Sequence, residues 1–232
     1  MVARKIIGKF IPRQIKKQLN NFKILACDYA QYSTMKKWDC VDVCGNKIPW
    51  YTYPAIEFLN TFDFSEKYVF EFGSGNSSIY WANKAKELVS IEHDQKWFEK
   101  VKSALKKNQI LLYKKDNEEY ENAILAFEKK FDIIIIDGIR RPECSKVIAK
   151  CLNNQQNRCG CMVILDNSDW YQETSKYLRE KLDLIEIDFH GFGPINNYTW
   201  TTSIFITRNF NFKPINDIQP IFSVSAIKES GE

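Results

Sequence analysis

From Lys67 to Arg208 short apolar runs alternate with amphipathic stretches. KYVFEF (67–72), ELVSIEHD (87–94), QILLYKKD (109–116), FDIIIIDG (131–138) and CMVILDNSD (161–169) have the length and composition of strands. IYWANKAK (79–86), QKWFEKVKSALKK (95–107), EEYENAILAFEKK (118–130), PECSKVIAKCLNN (142–154) and YQETSKYLREKL (171–182) follow them as predicted helices. The unbroken run Ile133–Ile136 suits a central parallel strand covered on both faces. DLIEIDF (183–189) and TTSIFITR (201–208) are joined by HGFGPINNYTW with no helix between them. A parallel return needs a crossover, so this pair predicts an antiparallel hairpin at one edge. The pattern as a whole predicts an α/β fold: a doubly wound, mostly parallel seven-stranded sheet with an antiparallel last strand.

The segment before this alternation reads differently. Residues 4–23 carry Arg4, Lys5, Lys9, Arg13, Lys16, Lys17 and Lys23 among apolar positions, and Arg13–Phe22 can form an amphipathic helix. Such a basic helix packs lightly on a domain, sits on an anionic membrane surface or grips a partner. Residues 24–50 show no strong period; Pro54 then opens a predicted helix, AIEFLNTF, beside the aromatic cluster Trp50, Tyr51 and Tyr53. The expected organisation is a basic, helical extension over 1–60, the main domain over 61–208, and a patternless tail over 209–232.

Composition narrows the class. With 44% hydrophobic residues, the 232-residue chain can bury a sizeable core, which excludes global disorder. A net charge of +4 demands no polyanionic partner, and the lysines of the second helix read as a solvated face, so the nucleic-acid signal is weak. No apolar run is long enough to span a bilayer, and no secretory signal is visible, so a cytoplasmic location is expected. Seven cysteines include the pairs Cys40/Cys44 and Cys159/Cys161, whose spacings are not those of a zinc knuckle; reduced thiols are expected.

Open α/β sheets bind ligands beyond the carboxyl ends of their strands, near the switch point. The five parallel strands end at Glu71, Glu92, Asp116-Asn117, Asp137 and Asp166-Asn167. With only 29 acidic residues in 232, that alignment points to a polar site along one rim. After the first strand comes Gly73-Ser74-Gly75-Asn76-Ser77-Ser78, a turn that lets a ligand approach the backbone. Glu92 stands 21 residues after Glu71, the distance at which an acid can accept hydrogen bonds from ribose hydroxyls. A dinucleotide fingerprint would need a third glycine at Ser78, and Glu71 would repel a pyrophosphate. A phosphate-free cofactor bearing a sulfonium suits this turn better.

The runs VFEFGSGNSS, SIEHD, FDIIIIDG and VILDN resemble the class I S-adenosylmethionine-dependent methyltransferases over roughly residues 50–208. That resemblance implies that Glu71, Gly73, Ser74, Gly75 and Ser77 hold the methionine part, with Ser77 standing where many members have glycine. It implies that Glu92 holds the ribose, and that His93, Asp116 and Asn117 lie about the adenine, with Asp137 closing the site. Asp116 can equally cap the next helix.

Asp137, Asp166 and Asn167 resemble the ion-binding set of the metal-dependent O-methyltransferases, which makes Mg²⁺ a candidate cofactor. Equally, Asp166 and Asn167 can simply order their own loop. That branch has a lysine base where this chain has Arg140, and arginine stays protonated. Arg140 and Arg141 instead suggest a clamp for an anionic substrate group. His190 is then the candidate base, with Asp137 and Arg140 in the catalytic set. The Asn/Asp-Pro-Pro-Tyr signature of amino-group methylation is absent, which favours an oxygen nucleophile on a small-molecule or glycan-like substrate. The alternatives are an inactive methyltransferase-like binding protein docking through its basic arm and, more remotely, a nucleotide-dependent oxidoreductase.

Overall fold

The computed structural model describes residues 11–152 and 160–229. Arg4, Lys5, Lys9 and Cys159 lie outside them. Helix α1 is Arg13–Lys23, continued by a wider turn over Ile24–Asp28; α2 is Gln31–Lys37 and α3 Tyr53–Leu59. Then follow β1 Tyr68–Phe72, α4 Asn76–Lys84, β2 Glu87–Glu92, α5 Gln95–Lys102 and β3 Gln109–Tyr113. Helix α6 is Asn117–Asn122, tightened into a 3₁₀ turn over Ala123–Ala126. Strand β4 is Ile133–Ile136, α7 Arg141–Leu152, β5 Met162–Asp166, α8 Gln172–Lys181, β6 Ile185–Gly191 and β7 Trp200–Ile206.

The sheet has the order β3-β2-β1-β4-β5-β7-β6. All neighbours are parallel except β7, which runs antiparallel to both β5 and β6. The seven-stranded, edge-hairpin arrangement expected from the sequence is therefore present. The chain winds outward from β1 to β3 and then back through β4, so β1 and β4 flank the switch point where α/β sheets place their ligands. Two apolar layers cover the sheet. One gathers Val69, Leu88, Ile133 and Ile164 with residues from the N-terminal region, including Tyr51, Ile56 and Leu59. The other gathers Phe70, Phe72, Ile134, Ile136 and Phe205 with α6 and α7.

Several helices differ in extent from the sequence pattern, α6 among them, which gives way to its 3₁₀ turn after Asn122. Helix α5 stops at Lys102 because the following turn is tied elsewhere: the Asn108 side chain donates to the carbonyls of Ala82 and Ala85, both at 3.0 Å. Helix α4 begins at Asn76, directly after the Gly-rich turn, where Ser78 Oγ accepts from Gly75 N at 3.0 Å. Among the described residues, no helix is long and apolar enough to cross a membrane.

The turn after β1 is pressed against the end of β4. Gly73 has φ +103°, and a Cβ there would come within 3.0 Å of the Gly138 backbone. Gly73→Ala thus combines an unfavourable backbone conformation with a clash against main chain that cannot move aside. The expected loss is roughly 2–4 kcal/mol of unfolding free energy, read from urea denaturation; a loss under about 1 kcal/mol would mean that the two turns are not in contact.

Candidate functional site

Glu71 stands one residue before the end of β1 and faces inward. It is 1% exposed, with Oε1 accepting from Ser77 Oγ at 2.5 Å and Oε2 from Ser78 Oγ at 2.5 Å and Ser90 Oγ at 2.7 Å. Burial pushes its carboxyl up to about 7 against the pull of those three hydroxyls. The residue is a brace that locks the first turn of α4 to β2, and it lines neither cavity described below. The expectation that it holds part of a ligand is corrected accordingly, and Ser77, although it reaches the cavity wall, spends its hydroxyl on Glu71.

Glu92 faces the rim. Its Oε2 accepts from Ser74 N at 3.1 Å and Ser74 Oγ at 2.8 Å, and its Oε1 from His93 N and Asp94 N, both at 2.9 Å. It lines a cleft of about 420 Å³ with Gly73, Ser74, His93, Asp94, Trp97, Asp137 and Gly138. Three carboxylates and no lysine or arginine face this space. The backbone donors are permanent, whereas the Ser74 hydroxyl can rotate away and free one lobe of Glu92 for a ligand hydroxyl.

Asp116 and Asn117 are not part of either cavity. The Asp116 carboxylate caps α6 by accepting from Glu119 N at 3.0 Å, the helix-capping alternative the sequence left open.

A second cavity of about 410 Å³ shares Ser74, Trp97 and Asp137 with the cleft. Its far wall comes from Asp137, Arg141, Asp166 and Asn167, and its mouth from Trp38, Trp50, Trp170 and Tyr198. Trp97 stands between the two spaces, its indole nitrogen donating to the Ser74 carbonyl and its ring 3.6 Å from where a Gly75 Cβ would lie. Residues 38–40 join the site because the Asn76 amide at the start of α4 donates to Asp39 Oδ1 at 2.6 Å and to the Cys40 carbonyl at 2.9 Å.

The expected ion-binding trio is occupied by a side chain. Arg141, 9% exposed, donates from Nη2 to Asp137 Oδ1 at 3.0 Å and from Nη1 to Asn167 Oδ1 at 3.1 Å. The same Nη1 meets the Asp166 carbonyl, and Nε donates to the Gly138 carbonyl at 3.0 Å. Among the described residues, no cluster of three or more His, Cys, Asp or Glu is placed to hold a metal ion. The guanidinium supplies the positive charge Mg²⁺ would have supplied, so these residues do not fit a metal.

Arg140 and His190 fall outside the cavity lining. Arg140 adopts φ 56° at the start of α7, which turns it outward to Glu121 Oε1 at 2.6 Å and leaves the inward position to Arg141. His190 sits on the edge strand β6, its Nδ1 2.7 Å from Thr201 Oγ1, because β7 is inserted between β6 and β5. Neither is placed for the catalytic part expected of it. The residues missed by sequence reasoning are Trp38, Asp39, Trp97 and Trp170; only the tryptophan content of these stretches could have hinted at them.

Asp166 is 3% exposed; its Oδ1 accepts from Thr202 Oγ1 at 2.5 Å and Trp200 Nε1 at 3.0 Å. Burial, reinforced by the Asp137 charge, pushes it up to about 8. Burial also raises Asp137, to about 6, with Arg141 holding it down. Together with Glu71, these groups make the folded chain hold more protons than the unfolded chain from about pH 4 to about pH 8. Stability present below that window is lost as the pH rises through the folded values, by a total on the order of a few kcal/mol. The melting temperature is therefore expected to fall between about pH 5 and about pH 8, and Asp166→Asn to flatten the fall. A melting temperature that climbs over this range would show that the carboxyls are ionised and solvated.

No protein-family model matches the chain, and no curated protein matches it. Among solved structures, it is similar to an rRNA methylase from Streptococcus thermophilus, at 13% identity over 66% of this chain and 91% of that chain, with a TM-score of 0.46. A Streptococcus mutans protein solved in complex with SAH shares 14% identity over 69% of this chain and 100% of that chain, at 0.47. A methyltransferase from Pyrococcus furiosus shares 16% over 68% of this chain and 82% of that chain, at 0.45. Strand order decides the fold independently of these matches: β7 runs antiparallel between β5 and β6 at one edge of an otherwise parallel sheet, a Rossmann-like α/β fold.

Proposed function

We propose that the chain is an S-adenosylmethionine-dependent methyltransferase acting on a hydroxyl of a small, sugar-like acceptor. The observation that carries this reading is the lining of the cleft beside the Gly-rich turn, where Glu92, Asp94 and Asp137 face the space without lysine or arginine. A diphosphate-bearing nucleotide would meet like charge there, whereas a phosphate-free, positively charged nucleoside meets complementary charge. When bound, S-adenosylmethionine supplies an electrophilic methyl group on a sulfonium.

The chain's own residues supply the rest. Glu92 accepts the ribose hydroxyls once the Ser74 side chain swings aside. The turn Gly73–Gly75 lets the ligand pass close to main chain toward the second cavity. In that cavity Asp166 is the proton acceptor for the acceptor hydroxyl, because its carboxyl lines the wall and burial strengthens its hold on a proton. Its Oδ1 is held by Trp200 and Thr202, which fixes the carboxylate's orientation.

The mouth favours a neutral, hydroxylated acceptor. Trp38, Trp50, Trp170 and Tyr198 are 70%, 38%, 62% and 47% exposed around it and offer flat apolar faces. Asp39, Asn76, Asn167 and Asn196 offer hydrogen-bonding groups between them, and of the two cations, Lys100 and Arg141, the latter is paired with Asp137. A polyphosphate acceptor would need more positive charge than this.

The test is transfer of labelled methyl to sugars, catechols and RNA in parallel. Methylation of sugars, lowered about 10²–10⁴-fold in kcat by Asp166→Asn, is the expected result. Trp170→Ala is expected to raise the acceptor KM about tenfold while leaving cofactor affinity unchanged. Methylation of RNA or catechols alone overturns the acceptor class, and bound cofactor without any turnover favours a binding protein.

A further inference from the structure

Among the described residues, helix α1 is a surface element that buries none of its side chains. Ile15, Leu19 and Phe22 are 49%, 55% and 68% exposed. Their spacing of four and three residues places them on one face of the helix. Burying such side chains is the main gain available to an apolar stripe, and among the described residues this stripe leaves that gain unrealised. Lys16 and Lys23 border one side of the stripe, and Arg13 and Lys17 lie farther round the helix.

Charge selects the partner. The first 27 residues hold seven Lys or Arg and no Asp or Glu, so they carry +7 of a total of +4, and the remaining chain is net acidic at −3. Among charged partners, an anionic bilayer satisfies both features of the helix at once: lipid headgroups take the lysines, and the acyl boundary takes the apolar face. A nucleic acid would use the charge and leave Ile15, Leu19 and Phe22 in water.

We propose that α1 docks the enzyme in the plane of an anionic lipid surface, with Ile15, Leu19 and Phe22 inserted and the lysines at headgroup level. This goes beyond the proposed activity and does not depend on it. It also gives the site a physical setting, because an acceptor carried on a membrane would be encountered in two dimensions.

The full chain is to be sedimented with vesicles of phosphatidylcholine alone and of phosphatidylcholine mixed with phosphatidylglycerol. The expected result is binding to the mixed vesicles only, weakened by salt as screening requires. Lys16→Glu/Lys17→Glu is expected to lower the bound fraction at least about tenfold, and Leu19→Ser/Phe22→Ser by a similar factor. Melting temperatures of both variants should match the parent, because α1 contributes nothing to the core. Absence of binding to mixed vesicles overturns the proposal. So does binding that survives Leu19→Ser/Phe22→Ser, which would mark a general polyanion surface, or a concentration-dependent dimer lost in that variant, which would show a second copy covering the stripe.

Discussion

Glu92→Ala is expected to weaken S-adenosylmethionine binding roughly 100-fold, the worth of two hydrogen bonds to a charged acceptor. The reason is that Glu92 does two things at once. It is the acceptor for the ligand, and it also holds the backbone of Ser74, His93 and Asp94 in place through three N–H donors. Removing the carboxylate therefore loosens the turn that the ligand must cross as well as the contact it must make. Calorimetric titration reads the first effect, and a melting temperature lowered in the absence of ligand reads the second. Glu92→Gln separates them, because an amide oxygen can keep part of the backbone set but cannot accept two ribose hydroxyls as a carboxylate does. Affinity unchanged in Glu92→Ala would remove the basis for a nucleoside in the cleft.

The second large effect is expected from Arg141→Ala. The guanidinium bonds to Asp137, Asn167 and two main-chain carbonyls while the residue is 9% exposed, and its Cζ lies 5.0 Å from the centre of the Tyr171 ring. Its loss leaves the half-buried Asp137 carboxylate without its cation, which is expected to cost roughly 2–3 kcal/mol, less than the about 3–5 kcal/mol of a fully buried pair. Because Asp137 would then be free to bind a proton instead, the loss should be smaller in mildly acidic than in mildly alkaline buffer. Arg141→Lys is expected to recover little, since one ammonium cannot reach four acceptors spread over a planar fork. The same geometry predicts that Mg²⁺ leaves the melting temperature of the unaltered chain where it is. A clear rise with Mg²⁺, or an Arg141→Ala loss under about 1 kcal/mol, would mean that the guanidinium does not organise this wall.

The sheet was legible in the sequence because its signals are local. Each strand is a short apolar run of its own, Ile133–Ile136 being the plainest, and each crossover carries an amphipathic period that needs no distant partner to be seen. The same holds for the turn Gly73–Gly75 and for Glu92, whose positions follow from counting residues along one βαβ unit. The helix-free connection between the last two strands likewise announced an antiparallel pair.

The fate of individual side chains was decided elsewhere. Glu71 and Glu92 stand near the ends of neighbouring strands, yet three serines drawn from α4 and β2 turn Glu71 into an internal brace. Arg140 and Arg141 are adjacent in the chain, and a single left-handed φ at Arg140 sends one outward to Glu121 and the other into the acidic wall. His190 is at a strand end by sequence, but strand order sets it beyond β7. Trp38 and Asp39 reach the cavity on a segment that has no period of its own and is tied to α4 by Asn76. Periodicity and spacing act over a few residues and so are written into the chain directly. Which groups meet across the rim depends on packing between segments far apart in sequence, and only the folded structure brings them together.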